Sequence, residues 1–306
     1  MSSFWRRTGA LLVVLATAAW ACWAQTGSAH AGAQWRHAVE QATREAPDAR
    51  VLVLEIGSGD LLASARLGEA SRAPATPGST LKPLILYFAL ASGDWNPERR
   101  VACSREMHIG RHQLNCSHPV AEPMNAQQAL TWSCNSYFAA LAGTLSAAEL
   151  RQALSARGLL AATGLTAQEE VAAFREPRTR EQIQLVALGV EGIRVTLLEL
   201  AEAYRSLAIE LAAHPGTAAA KTVTGGLADS ASFGMAGAVS LGGVAIAGKT
   251  GTASAESSGV THGWFVGLAP AESPRVVVAV YLPSGRGSDA AQVAASLLAR
   301  SPLRKP

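Results

Sequence analysis

The sequence predicts a mixed α/β (α+β) domain: one five-stranded antiparallel sheet flanked by helices, with a mainly helical lobe beside it. Three observations carry that expectation. Two strand-like runs stand near the start, Val51–Ile56 and Leu61–Leu67, and three more stand near the end, Val244–Ser254, Gly263–Leu268 and Arg275–Leu282. Between them, over about residues 94–243, the pattern is helical with loops. Half of the 306 residues are hydrophobic (49%) and only 16% are charged, which suits a well-cored globular chain rather than a disordered one.

The elements follow in order. Residues 34–46 carry a helical pattern that ends at Ala46-Pro47-Asp48. Val51-Leu52-Val53-Leu54-Glu55-Ile56 is almost continuously apolar, as in a strand buried on both faces, and Gly57-Ser58-Gly59-Asp60 turns it into the second strand. Thr76-Pro77-Gly78 leads into an apolar helix from Ser79 to Ala91. Further helices are expected over 126–143 and 147–157, with a weak pattern over 225–239. Thr196-Leu197-Leu198-Glu199 is a capping box, stapled by Val195 and Leu200, that opens a helix to about Leu211. After the late strands, Ser288 is expected to cap a last helix from Asp289 to Arg300.

The first thirty residues read as an export signal. Arg6 and Arg7 form the positive end, Gly9 to Ala24 is an uncharged run of 16 residues, and Ala29-His30-Ala31 offers a small-x-small cleavage site. The run is shorter than the ~20 residues a spanning helix needs. Cleavage after Ala31 is therefore the first reading, and an uncleaved N-terminal membrane anchor the second. Residues 1–31 are assigned to that segment and 32–306 to the folded domain, which no repeat or linker divides. The domain is expected to be exported, to the periplasm or the outer face of the cytoplasmic membrane. Without residues 1–31 the formal charge falls from +3 to +1, and no basic run stands out, so nucleic-acid binding has no support. An oxidising location permits a disulfide. Cys103 and Cys116, 13 apart around a loop, are the favoured pair, with three unpaired thiols (Cys134 included) as the alternative.

Lysine is scarce: 4 against 22 arginines. Two of the four sit in short motifs. Lys82 follows Ser79 by three residues, one turn along the same helix face, and is the only charge between Ser79 and Gly93. Burial there disfavours the ammonium and makes Lys82 a candidate base for the Ser79 hydroxyl, which arginine cannot be. Ser133-Cys134-Asn135 places a hydroxyl and an amide two residues apart. Lys249-Thr250-Gly251-Thr252 lies in a strand, where Lys249 is expected to keep its charge, Gly251 to let a substrate backbone approach, and Thr250 and Thr252 to supply hydroxyls. Each motif alone has an ordinary explanation: a surface quartet, a helix boundary, an edge strand guarded by lysine.

Ser-x-x-Lys, a Ser-x-Asn triplet and Lys-Thr-Gly, in this order, are the signature set of penicillin-binding proteins and class A β-lactamases. The chain resembles the transpeptidase domain of penicillin-binding proteins over nearly all of residues 32–303. The likeness is carried by Gly78-Ser79-Thr80-Leu81-Lys82-Pro83, by Cys103 to Cys116 with His118 and Ala129–Phe138, by Leu188-Gly189-Val190 with Val195–Ala201, and by Ala247–Ala253 and His262–Pro270. It implies a β-lactamase/transpeptidase-like fold and a serine DD-transpeptidase or DD-carboxypeptidase acting on peptidoglycan stem peptides. Ser79 would form an acyl-enzyme, Lys82 would be the base, Ser133 would relay a proton and Asn135 would bind the substrate amide. Lys249 would keep the site positive while Thr250 and Thr252 hold the terminal carboxylate. The backbone N–H groups of Ser79 and Thr252 would form the oxyanion hole. No metal or cofactor is implied, and β-lactam antibiotics are the expected ligands.

Members of this family mostly carry a further N-terminal module, for which Ala31 to about Arg50 leaves no room, so another cell-wall protein is the expected partner. Gly189-Val190-Glu191-Gly192 also departs from the family's usual Gly-Gln-Gly type. The nearest rival is a β-lactamase, which needs a deacylating base. Glu169 and Glu170 fall at a plausible distance but lack the class A loop around them. A β-lactam or muropeptide sensor, or an inactive scaffold, is the other.

Overall fold

The computed structural model describes residues 31–120, 122–254 and 259–304. The expected signal or anchor segment, except for Ala31, lies outside them. A helix over residues 31–45 (α1) leads into β1 (Arg50–Glu55), β2 (Leu61–Ala65) and a short helix, α2 (Leu67–Arg72). The sheet is completed much later by β3 (Ala247–Ser254), β4 (Thr261–Ala269) and β5 (Val276–Leu282). Its order is β2-β1-β5-β4-β3, with every neighbouring pair antiparallel. The first strand of the chain thus pairs with the last, and β3 forms the edge that meets the helical lobe.

The apolar run of β1 is buried on both faces, as its sequence suggests. Val51, Leu52, Val53 and Leu54 are all inaccessible to solvent. Val51 and Val53 pack with Trp35 and Val39 of α1 and with Ala290, Ala294 and Leu297 of the last helix, α10 (Gly287–Leu298). Leu52 and Leu54 share the other core with the helical lobe. Each such side chain contributes about 1.5–3 kcal/mol by leaving water, so the two cores fix the sheet between terminal helices and lobe.

The lobe contains α3 (Lys82–Ala91), α4 (Ala126–Thr131), α5 (Asn135–Ala142), α6 (Ala147–Ser155), α7 (Arg180–Ala187), α8 (Leu197–Ala213) and α9 (Ala218–Ser232). Two-residue ladders, His108–Ile109 with His112–Gln113 and Ala173–Phe174 with Ile193–Arg194, tie its long loops. The single helix expected over 126–143 is two. α4 ends where Ser133 takes a left-handed φ of 56°, with Ser133 N–H bonded to Leu130 O and Cys134 N–H to Ala129 O. That is a Schellman ending with serine in the place glycine normally fills. The helix expected near 225–239 begins at Ala218 under a Thr217 cap, and 237–242 is a 3-10 turn. Nor does Ser288 cap α10: Asp289 accepts the N–H of Arg286 instead. Short α2 and α7 carried too little periodicity to be expected.

The capping box at Thr196 is present. Thr196 Oγ1 accepts from Glu199 N–H at 3.1 Å, and Glu199 Oε2 accepts from Thr196 N–H at 2.9 Å. Glu199 also takes the N–H of Ala172 and the Thr196 hydroxyl, and it is buried, which pushes its carboxyl pKa up against those donors. Removing a donor from a buried carboxylate costs more than removing one at the surface. Thr196→Ala is therefore expected to destabilise the fold by about 2 kcal/mol, against about 1 kcal/mol or less for Ser146→Ala, which removes an exposed cap of the same kind on α6. Urea denaturation of the two variants side by side measures the difference; equal losses would show that burial of Glu199 adds nothing.

Candidate active site

The turn that presents Ser79 is held from every side. Ahead of it, the Thr76 carbonyl accepts from His262 Nε2 at 2.8 Å and Trp264 Nε1 at 2.9 Å, both on β4. Because a carbonyl only accepts, Nε2 of His262 carries the proton, and burial keeps the ring's pKa below its ordinary value. Behind it, Tyr204 of α8 donates to the Thr80 carbonyl at 2.8 Å. Gly78 has a φ of 56° and bonds through its N–H to Gly189 O at 2.9 Å. A β-carbon on Gly189 would lie 2.2 Å from the Gly78 oxygen, which explains the glycine in the departing Gly189–Gly192 segment. Glu191 in that segment pairs with His112 at 2.6 Å. The tightness has a consequence for the helix: Gly78–Leu81 is a 3-10 turn, and α3 begins only at Lys82.

Gly251 has a different neighbour from the one its sequence suggests. A β-carbon there would stand 2.5 Å from Pro77 O and 2.9 Å from Thr80 Cγ2. The space a substrate was expected to fill belongs to the Ser79 turn itself, so Gly251 lets β3 press against that turn. Gly287 at the head of α10 closes the same corner, where its N–H donates to Thr252 Oγ1 at 2.9 Å. Thr252 keeps its own hydroxyl proton for a ligand. Thr250 Oγ1 makes a long contact, 3.4 Å, to Met235 O.

Ser79, Ser133, Asn135, Thr250 and Thr252 line one cleft of about 160 Å³, with Trp132 at its wall. The Ser79 hydroxyl makes no hydrogen bond among the described residues. The Lys82 ammonium is not aimed at it. Nζ donates to Ser133 O at 2.8 Å, to Ser133 Oγ at 3.2 Å and to Asn135 Oδ1 at 2.7 Å, and lies 5.2 Å from the centre of the Phe138 ring. Three protons meet three acceptors. Lys82 is 0% exposed, and burial draws its pKa down to about 8, while Cys116, Cys134 and Cys103 pull the other way. The left-handed Ser133 is what turns its carbonyl toward Lys82 together with its hydroxyl.

Lys249 is equally buried, with a single acceptor among the described residues, the Thr250 carbonyl at 3.0 Å. Burial first, and the neighbouring Lys82 charge second, push its pKa well down. Burial thus works against the charge that Lys249 is expected to keep, and an anion placed beside it would favour the ammonium form.

The expected Cys103–Cys116 disulfide is also corrected, since all three cysteines are free. Their sulfurs converge instead with the imidazole of His118, all four ligand-type atoms lying within 4.8 Å of one another. Cys116 Sγ accepts the N–H of Asn135 at 3.1 Å. Hydrogen bonding between Cys134 and Cys116 lowers the Cys116 pKa and raises that of Cys134. Sequence reasoning paired two cysteines and gave His118 no role, although all four residues stood in one quoted stretch. Glu169 is occupied elsewhere: its carboxylate accepts from Thr163 N–H, the Thr163 hydroxyl, Gly164 N–H and Thr166 N–H. It is not among the residues that line the cleft.

Residues 36–300 match the family described as "Penicillin binding protein transpeptidase domain". No curated protein matches the chain. Among solved structures it is similar to a peptidoglycan glycosyltransferase from Burkholderia ambifaria, with 20% identity, a TM-score of 0.76, and 89% of this chain and 94% of that one covered. It is equally similar to the apo TP domain of penicillin-binding protein 3 from Burkholderia pseudomallei, with 20% identity, a TM-score of 0.76, and 89% and 93% covered.

Gly251→Ala tests the contact that seats β3 on the Ser79 turn. Overpacking against a backbone oxygen is expected to cost about 1–3 kcal/mol, whereas Gly57→Ala, in a turn with nothing within 4 Å of the added carbon, is expected to cost under ~0.5 kcal/mol. Chemical denaturation reads both, and a neutral Gly251→Ala would remove the steric account.

Proposed function

Since the chain belongs to the penicillin binding protein transpeptidase domain family, we propose that it is a serine DD-transpeptidase acting on peptidoglycan stem peptides that end in D-Ala–D-Ala. One observation carries the reading: a buried lysine, held by the hydroxyl of one cleft residue and the amide of another, sits one turn from a serine whose hydroxyl is unengaged.

Ser79 Oγ attacks the carbonyl carbon of the penultimate D-Ala, and its proton passes to neutral Lys82 Nζ. The carbonyl oxygen becomes an oxyanion, stabilised by the backbone N–H groups of Ser79 and Thr252; each such donor contributes about 100–1,000-fold in rate. The C–N bond then breaks, and the leaving D-Ala amine takes a proton through Ser133, whose hydroxyl already contacts Lys82. An acceptor amine attacks the acyl-enzyme and frees Ser79. Water in its place gives carboxypeptidation. Asn135 binds the substrate amide, while Lys249, Thr250 and Thr252 receive the terminal carboxylate, whose negative charge favours the ammonium form of Lys249. β-Lactams acylate the same serine, and the substrate places the domain outside the cytoplasm.

Fluorescent penicillin is expected to label the native protein stably, and Ser79→Ala and Lys82→Arg to abolish labelling. No labelling of the native protein, an active Lys82→Arg enzyme, or rapid loss of label by hydrolysis would each overturn the reading. A pentapeptide assayed with and without an acceptor amine then separates transpeptidation from carboxypeptidation.

The pH dependence has a definite sign. Lys82 must be neutral to take the proton, and its neutral fraction falls tenfold per pH unit below its pKa. The groups that set this pKa are Cys103, Cys116 and Cys134, which raise it, and burial, which outweighs them; Lys249 stands nearby with its own charge depressed. The acylation rate constant is expected to climb with pH and level off above about 8. A rate flat from pH 6 to 9 would exclude Lys82 as the base.

A further inference from the structure

At the wall of the cleft, which Cys116 itself lines, Cys103, Cys116, His118 and Cys134 bring four ligand-type atoms together, within 4.8 Å of one another. Cys103 Sγ lies 3.4 Å from His118 Nε2. In a tetrahedral zinc site, bonds of ~2.3 Å to sulfur and ~2.0 Å to nitrogen put S and N about 3.5 Å apart and two sulfurs about 3.8 Å apart. The cluster is thus close to ligand spacing, and its widest pair needs to close by about 1 Å.

The histidine supplies an independent indication. His118 is 1% exposed; among the described residues its Nδ1 has no hydrogen-bond partner, and its Nε2 faces the Cys103 thiol. Buried ring nitrogens are normally paired with a strong partner, and a thiol is a weak one. The surroundings of the sulfurs point the same way. Asn135 donates its N–H to Cys116 Sγ, and the Ser136 hydroxyl donates to Cys103 Sγ at 3.8 Å, as outer-shell donors do to metal-bound thiolates. A disulfide explains less: a bridge between any two cysteines leaves the third thiol and the imidazole unaccounted for, and none is formed.

We propose that Cys103, Cys116, His118 and Cys134 form a structural site for one zinc ion. Three thiolates and an imidazole are soft ligands that favour zinc over magnesium or calcium. With four protein ligands no position is left open for water, which distinguishes a structural site from a catalytic one. Binding releases the thiol protons to solvent and forms metal–sulfur and metal–nitrogen bonds, without any change of oxidation state. Cys134 lies between Ser133 and Asn135, the two residues that hold Lys82. The ion would therefore fasten the loop of residues 103–118 against the segment that carries the Lys82 acceptors. Metal content is measured without turnover, so this site and the acylation chemistry succeed or fail separately.

The full chain, purified through a histidine-free tag without chelator, is expected to contain about one zinc per chain by plasma mass spectrometry. Cys116→Ser and His118→Ala should each lower that content at least tenfold, and His118→Cys should retain it. Should the first two variants fail to fold, the native chain decides alone: stripped of metal and titrated with cobalt(II), it should show the intense thiolate-to-metal and visible bands of a tetrahedral site. Absence of stoichiometric zinc together with absence of those bands would overturn the proposal. So would a native mass lower by two hydrogens, which signals a disulfide, or zinc retained when Cys116 and His118 are both replaced.

Discussion

A lysine ammonium taken out of water governs the architecture of the cleft. Left alone, a buried charge of this size costs several kcal/mol, and α3 itself offers Lys82 nothing but hydrocarbon and its own bonded backbone. The acceptors have to come from another segment, and they come from Ser133 and Asn135. A serine in ordinary helical conformation would keep its carbonyl in the helix ladder. The left-handed Ser133, at about 1–2 kcal/mol for a residue with a β-carbon, ends α4 and releases that carbonyl. The break between α4 and α5 and the burial of Lys82 are one requirement met in two places.

A second constraint follows from how little room the Ser79 turn leaves. Gly78 abuts the Thr252 backbone, Gly189 abuts the Gly78 carbonyl, Gly251 abuts Pro77, and Gly287 abuts Gly251. Backbone meets backbone here, with no side chain between to yield. The edge strand, the turn, the loop after α7 and the head of α10 are thus set relative to one another by contacts that have almost no compliance. Rigid placement of this kind suits a site whose reacting groups must stay within hydrogen-bond reach without a ligand to gather them.

Much of this was legible in the sequence, and the part that was not has a common cause. A nearly continuous apolar run announced β1, strand-like runs between turns announced the other four strands, and the Thr196–Glu199 pattern announced the start of α8, because all are local properties of the chain. The apolar helix around Lys82 correctly foretold burial. Ser133 and Asn135 stood out as a motif that also reads as a helix boundary, yet nothing in the sequence showed that Ser133 turns left-handed and gives its carbonyl to Lys82. Gly251 was read as room for a substrate because spacing along a strand says which residues share a face, not what occupies the space beside them. Lys249 was expected to stay charged on the premise that a strand lining a cleft is wet; the structure buries it.

The cysteines show the same limit in its sharpest form. Metal ligands in short motifs sit two to four residues apart, whereas here 12, 1 and 15 residues separate successive members of the set. Such spacing looks like unrelated cysteines until the chain is folded. Within the loop that brings Cys103, Cys116 and His118 together, regular structure amounts to one two-residue ladder, with the bridge between Val101 and Met124 beyond it. A segment with so few backbone bonds has little to hold it by itself, yet it lies against the residues that position Lys82. Four converging side chains would add to the restraints that the loop already has, among them the His112–Glu191 pair and the N–H groups of Leu114 and Cys116 bonded to Met107 O and Arg105 O. Order in the loop, the left-handed turn at Ser133 and the acceptors of Lys82 then form a continuous chain of dependence, from the cluster at the wall of the cleft to the lysine within it.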